Sequence, residues 1–170
     1  MTREGSRQLS FRRLHDSEVD AACAILAAAS QWLLARGIRQ WVTPYPRELY
    51  QQAQDRAENF ALIGDDRLVA IVTLSAAAPP EWREELSGRS VWWISKLAVA
   101  PDCHGKGFGR RLAQESLKHL EGIGATSVWL DCVVGPLTSF YESLGFEPVV
   151  AKVVHFPNIT LHVVLMTREL

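Results

Sequence analysis

Hydrophobic and polar residues follow each other along the chain with periods that predict alternating strands and helices. The first apolar segment, residues 8–14, predicts a strand. A helix follows, capped by Asp16 or Ser17, running to about Arg36 and ended by Gly37. Spacings of three and four residues give this helix one apolar face, formed by Val19, Ala22, Cys23, Ile25, Leu26, Ala29, Trp32 and Leu33.

The next segments predict a polar helix and a hairpin. Residues 47–59 are mostly polar and predict an exposed helix. Residues 60–63 and 68–74 are apolar and flank the turn sequence GDDR, which predicts two antiparallel strands. Residues 75–89 contain two consecutive prolines and several charges, so we expect an irregular connection there.

The second half of the chain predicts a strand, a helix and a strand in one unit. Residues 91–99 and 128–132 are strand-like, and residues 108–123 between them are helical. A crossover of this length indicates that the two strands are parallel. A short helix at 137–144 and strands near 148–156 and 161–167 complete the pattern.

Composition narrows the class of protein. A chain of 170 residues that is 48% hydrophobic and 22% charged fits one compact domain. The net charge of −1 favours neither nucleic acid nor an anionic membrane as a partner. Cys23, Cys103 and Cys132 form no C-x-x-C pair, which argues against a disulfide framework or a structural metal site. With no signal-peptide pattern and no apolar run long enough to cross a membrane, we expect a cytoplasmic protein.

The strongest chemical signal is the glycine-rich loop between strand 91–99 and helix 108–123. Its glycines remove side chains close to the positive end of a helix, and its basic residues add charge, an arrangement suited to a phosphate-bearing ligand. These residues are Gly105, Lys106, Gly107, Gly109, Arg110 and Arg111. The spacing excludes both a P-loop, which needs Lys before Ser or Thr, and the G-x-G-x-x-G dinucleotide fingerprint.

The segment LAVAPDCHGKGFGRRL resembles the acetyl-coenzyme A binding motif of the GNAT superfamily, the Gcn5-related N-acetyltransferases. The match falls on His104, Gly107 and Gly109, with His104 standing where the family usually has Arg or Gln. A second segment from Trp129, WLDCVVGPLTSFYESLGFEPV, extends the resemblance. Its matching residues are Tyr141, Leu144, Gly145 and Phe146, whereas Val134, Gly135 and Pro136 stand where the family often has an asparagine.

The resemblance implies an α/β (α+β) fold, with residues 1–170 forming a single GNAT-like domain around a mixed sheet of six to seven strands flanked by about four helices. It also implies acetyl-CoA as the cofactor. Main-chain groups of Leu97, Ala98 and Val99 would pair with pantetheine like an added strand. The pyrophosphate would lie against a loop formed by His104, Gly105, Lys106, Gly107, Phe108, Gly109 and Arg110.

The implied reaction is direct transfer of an acetyl group to a neutral amine. Tyr141 is the candidate general acid, since a phenol can give a proton to a departing thiolate. The central strand carries Ser95 and Lys96 rather than an acid, so Glu81 and Asp131 remain alternative candidates for the general base.

The acceptor side is predicted from aromatic and polar residues, most of them in the loop at residues 37–46. The candidates are Gln40, Trp41, Tyr45, Trp82 and Trp93. We expect a small-molecule amine, with a peptide N-terminus as an alternative acceptor. The sequence leaves open both a homodimer and a different function, a non-catalytic acyl-CoA-binding sensor or structural domain.

Overall fold

The computed structural model describes residues 9–41 and 45–170, which build one seven-stranded sheet with four α-helices. The strands are β1 (Leu9–Arg13), β2 (Asn59–Gly64), β3 (Arg67–Ser75), β4 (Trp92–Val99), β5 (Ser127–Val133), β6 (Glu147–Phe156) and β7 (Ile159–Glu169). The helices are α1 (Val19–Leu34), α2 (Arg47–Asp55), α3 (Phe108–Gly122) and α4 (Pro136–Glu142). The strand order is β1-β2-β3-β4-β5-β7-β6, which confirms the predicted mixed sheet.

The centre of the sheet opens where β4 and β5 meet. Every neighbouring pair is antiparallel except β4 and β5, which are parallel and pair only at Trp92 with Val128 and Trp93 with Trp129. Beyond these positions, the edge of β4 that faces β5 has no strand partner in the described part of the chain. The two strands therefore leave a gap between their carboxyl ends.

A bulge in β4 lies at the same place. The register against β3 shifts between Ile71, which opposes Ala98, and Thr73, which opposes Ser95. The extra residue is accommodated by Lys96, whose φ of 53° is left-handed. A bulge bends its strand and increases the local twist, so it directs the end of β4 away from β5.

Alternation along β5 and β7 divides the core between the two faces of the sheet. Val128 and Leu130 belong to the larger cluster, which also holds most of the buried residues of α1 and α3. Trp129 and Leu165 belong to a smaller cluster on the other face, together with Trp82, Leu86 and Trp93. The connection between β3 and β4 thus covers this second face.

The structure corrects two details of the predicted elements. The helix expected over 47–59 ends at Asp55, because Ala57 adopts a left-handed φ of 57° and Asn59 begins β2. The side chain of Asn59 donates from Nδ2 to the main-chain oxygen of Tyr50, which joins the start of β2 to α2. The connection at 75–89 is not wholly irregular, since Pro80–Trp82 form a 3-10 turn. Among the helices of the described residues, none has the length and apolar character required to cross a membrane.

Candidate active site

A cleft of about 490 Å³ occupies the gap between β4 and β5 and continues to the start of α3. Its walls come from α1, the segment after α1, β4, the loop before α3, β5 and α4. The lining residues are Ala29, Trp32, Leu33, Gln40, Trp41, Ser95, Lys96, Leu97, Ala98, Val99, Cys103, His104, Gly105, Gly107, Phe108, Gly109, Arg110, Asp131, Cys132, Leu137, Phe140 and Tyr141.

One end of the cleft is a cradle of main-chain amides. Gly105 and Gly107 have φ values of 74° and 77°, a conformation that favours glycine, and Gly107 directly precedes the first turn of α3. In the described structure, the main-chain amides of residues 105–110 donate no hydrogen bond to another main-chain group. Free amides at the positive end of a 15-residue helix form a site for an anion.

The side chain of His104 braces this loop. Its Nε2 lies 2.9 Å from the carbonyl oxygen of Val99, so the ring donates to the end of β4. The Trp32 ring meets the His104 ring edge-on, with 4.7 Å between the centroids. His104 therefore fixes the path of the chain from β4 into the loop.

Two basic side chains of the loop are held by protein groups. Lys106 donates from Nζ to the main-chain oxygen of Asp102 at 2.7 Å and does not line the cleft. Arg110 donates to Ser143 Oγ at 2.8 Å and does line it. The guanidinium of Arg110 thus links the first turn of α3 to the residue that follows α4.

Tyr141 and Cys132 line the cleft close to each other. The Tyr141 ring packs edge-on against Phe140 and Phe146, with centroids 5.1 Å and 5.8 Å away. Burial raises the pKa of the phenol above its ordinary value, so Tyr141 keeps its proton near neutral pH. Burial also raises the pKa of the Cys132 thiol to about 11, although a contact with Thr138 opposes the shift. A protonated thiol is a poor nucleophile, so Cys132 is not activated for attack in this environment.

Asp131 brings a carboxyl group close to Tyr141 and Cys132 in the cleft. Its Oδ2 accepts a hydrogen bond of 2.7 Å from Nε1 of Trp82. Burial raises its pKa to about 6, the nearby charge of Glu81 adds to the rise, and the hydrogen bond from Trp82 opposes it. Asp131 can therefore exchange a proton close to neutral pH.

The predicted acceptor residues fall into two groups. Gln40 and Trp41 line the cleft, and Gln40 Oε1 accepts from the main-chain amide of Val133 at 2.8 Å, which ties the segment after α1 to the end of β5. Tyr45, Trp82 and Trp93 do not line the cleft. Neither does Glu81, the alternative base.

Each of the three aromatic residues outside the cleft has another partner. The Tyr45 ring lies 5.2 Å from Nζ of Lys96. Trp82 and Trp93 are buried in the second core cluster. Trp82 nevertheless reaches the site through its hydrogen bond to Asp131.

Sequence reasoning did not select Lys96 or Trp32 as site residues, yet both line the cleft. Burial lowers the pKa of the Lys96 ammonium to about 8. No local pattern in the sequence predicts the bulge at Lys96. Trp32 lies on the predicted apolar face of α1, where it resembles a core residue, although it is 39% exposed.

Comparisons with known proteins agree with this geometry. The sequence profile of the acetyltransferase (GNAT) family matches residues 26–146, so the chain belongs to that family. The protein is thus an acyltransferase with acetyl-CoA as its cofactor. No curated protein sequence shows a significant match to the chain.

Solved structures share the fold at low sequence identity. The ribosomal-protein-S18-alanine N-acetyltransferase of Escherichia coli superposes with a TM-score of 0.69 at 19% identity, covering 95% of this chain and 94% of that one. A polyamine N-acetyltransferase of Drosophila melanogaster gives 0.69 at 16% identity, with coverage of 96% and 100%. A GNAT family acetyltransferase of Brucella melitensis in complex with acetyl-CoA gives 0.63 at 17% identity, with coverage of 83% and 84%.

The residues present fit acetyl-CoA. The amides at 105–110 are free to bind its pyrophosphate, and Leu97, Ala98 and Val99 lie on the edge of β4 that has no strand partner there, where a pantetheine arm would pair. The carbonyl oxygen of Val99 is already used by His104. A Cβ on Gly109 would lie 3.5 Å from Val99, 3.9 Å from Leu97 and 4.0 Å from Phe140, all of which line the cleft. Glycine at this position therefore keeps open the space between β4 and α4.

Proposed function

We propose that the protein transfers an acetyl group from acetyl-CoA directly to a primary amine of a small molecule, or to the N-terminus of a peptide. The observation that carries the proposal is that one cleft is lined both by an anion cradle and by two proton-carrying side chains, Asp131 and Tyr141. Bound acetyl-CoA would supply an activated acyl thioester. Residues of this chain would position the acceptor and transfer the protons.

The transfer forms one N–C bond, breaks one C–S bond and moves one proton from nitrogen to sulfur. We assign Asp131 as the group that accepts the proton from the amine, because it lines the cleft and its pKa is raised to about 6. We assign Tyr141 as the group that gives a proton to the sulfur, because burial keeps its phenol protonated. Exchange with solvent then restores both side chains.

The acceptor side of the proposal rests on Gln40 and Trp41. The Gln40 side chain is anchored to β5, so it positions its own segment beside the cleft. Trp41 is half-buried there and offers an apolar wall for the carbon skeleton of an amine. We do not extend the acceptor role to Tyr45 or Trp93, which lie outside the cleft.

The test combines acetyl-CoA binding with turnover. Calorimetry with acetyl-CoA and CoA is followed by a thiol-release assay over a panel of small amines, polyamines and short peptides, for the wild type and Tyr141→Phe. We expect both proteins to bind acetyl-CoA, with turnover lowered at least tenfold in Tyr141→Phe. Binding without turnover of any amine would instead support an acyl-CoA sensor, and absence of binding would refute the cofactor assignment.

A further inference from the structure

Trp82 lies outside the cleft but holds Asp131, whose carboxylate lines it. The turn Pro80–Trp82 places the indole against β5, 49 residues further along the chain, where Nε1 donates to Oδ2 of Asp131 at 2.7 Å. Trp82 is 0% exposed. A fully buried indole normally donates a hydrogen bond from its N–H, and the indole of Trp82 donates it to a side chain of the site.

The indole is held in place by its surroundings. Nζ of Lys152, on β6, lies 4.0 Å from the centre of the Trp82 ring. The same ammonium donates to Oε1 of Glu85 at 2.6 Å and to the main-chain oxygen of Glu81. Glu81 precedes Trp82 in the chain and Glu85 follows it, so Lys152 holds the segment both before and after the tryptophan.

The hydrogen bond fixes the orientation of the Asp131 carboxyl group. Among the described side chains, Trp82 alone donates to it, and this donor is at Oδ2. Asp131 lines the cleft, and the main-chain amide of Asp131 itself also hydrogen-bonds to its carboxyl group. Because the indole occupies Oδ2, Oδ1 is the oxygen to which no other described side chain donates, and it is the one that an acceptor amine or a water molecule would use.

The indole N–H of Trp82 is a neutral donor, which suits a carboxyl group that has to accept a proton. An arginine at hydrogen-bond distance would lower the pKa of a carboxyl group strongly, whereas an indole orients it without adding a charge. The charged and titratable groups around Asp131 are Glu81 from the turn, Lys152 from β6, Cys132 from β5 and Tyr141 from α4. Glu81 raises the pKa of Asp131 and Lys152 lowers it, so the two charges oppose each other.

We propose that Trp82 is a positioning residue, whose indole N–H holds Oδ2 of Asp131 so that Oδ1 faces the cleft as the proton acceptor. The catalytic part rests on the role of Asp131 in the proposed function. The hydrogen bond itself does not, and it can be measured in the protein without acetyl-CoA.

The first measurement is a pH titration of the full chain by NMR, with the six tryptophan indole N–H signals assigned by triple-resonance experiments. We expect the Trp82 signal to move with an inflection near the pKa of Asp131, and this inflection to disappear in Asp131→Asn. A Trp82 signal that does not respond to pH in the wild type would overturn the proposal. This arm requires only the wild type and a near-isosteric variant.

The second measurement is the pH dependence of kcat/KM in Trp82→Phe. Loss of a donor to the charged carboxylate raises its pKa, so we expect the acidic limb to move to higher pH by about one unit and kcat to fall about tenfold. Trp129→Phe is the matched control, because Trp129 lies in the same core cluster and its Nε1 donates to Ser127 instead.

The outcomes separate the two claims. A profile of Trp82→Phe that coincides with that of Trp129→Phe shows a purely structural tryptophan and overturns the inference. Full activity in Asp131→Asn, together with a normal Trp82 titration in the wild type, refutes Asp131 as the base of the proposed function and leaves the hydrogen bond standing without a catalytic role.

Discussion

Gly109 offers a direct test of where the cofactor lies. In Gly109→Ala the new methyl group would meet Val99 at 3.5 Å, Leu97 at 3.9 Å and Phe140 at 4.0 Å, which are ordinary contact distances. The substitution therefore causes no clash within the protein. Alanine in the first turn of α3 also restricts the unfolded chain, so we expect the free energy of unfolding to stay the same or rise by about 0.5 kcal/mol.

The same methyl group lies in the space that bound acetyl-CoA would use. Loss of one hydrogen bond between a loop amide and a charged phosphate corresponds to about 1.5–3 kcal/mol, or roughly a 10- to 150-fold weaker Kd. Calorimetry measures the Kd for CoA, and thermal unfolding checks the fold. Gly122→Ala is the control, because Gly122 ends the same helix and its Cβ would meet nothing within 4 Å. A Kd for Gly109→Ala within twofold of the control value would refute the placement of the pyrophosphate at this loop.

Three further predictions concern the loop, the carboxyl group and the acceptor segment. Gly107→Ala forces a side chain into a φ of 77°, and we expect a loss of about 1–2 kcal/mol of stability by denaturant unfolding, together with weaker CoA binding. The pKa of Asp131 is raised by burial to about 6, so the folded state holds an extra proton between pH 4 and 6. The contribution of Asp131 to the free energy of unfolding is therefore greatest below this pH window and falls as pH rises through it. We expect Asp131→Asn to flatten the dependence of the free energy of unfolding on pH. Gln40→Ala leaves the amide of Val133 without its acceptor, and we expect about 1 kcal/mol lower stability and a raised KM for the amine, whereas an unchanged KM would argue against an acceptor role for this segment.

The local patterns of the sequence were sufficient for the order of elements and for the anion cradle. Alternation and helical spacing place β4 and α3 on either side of the loop, and the left-handed φ values of the turn favour glycine at 105 and 107. The resemblance carried by Gly107, Gly109 and Tyr141 pointed to the family that the sequence profile confirms. These features depend on residues close together in the chain, which is why they can be predicted.

Tertiary structure decided which chemical groups meet in the cleft. Glu81 and Asp131 were equal candidates for the base in the sequence, but of the two only Asp131 lines the cleft. Trp82 lies outside the cleft and donates a hydrogen bond to Asp131, 49 residues further along the chain. The bulge at Lys96 arises from the register between β3 and β4, and no single segment encodes it. The raised pKa of Asp131 likewise follows mainly from burial among packed neighbours. The sequence by itself determined the elements and the glycine-rich loop before α3, whereas the orientation and acidity of the proposed catalytic groups depend on contacts between distant segments, which exist only in the folded chain.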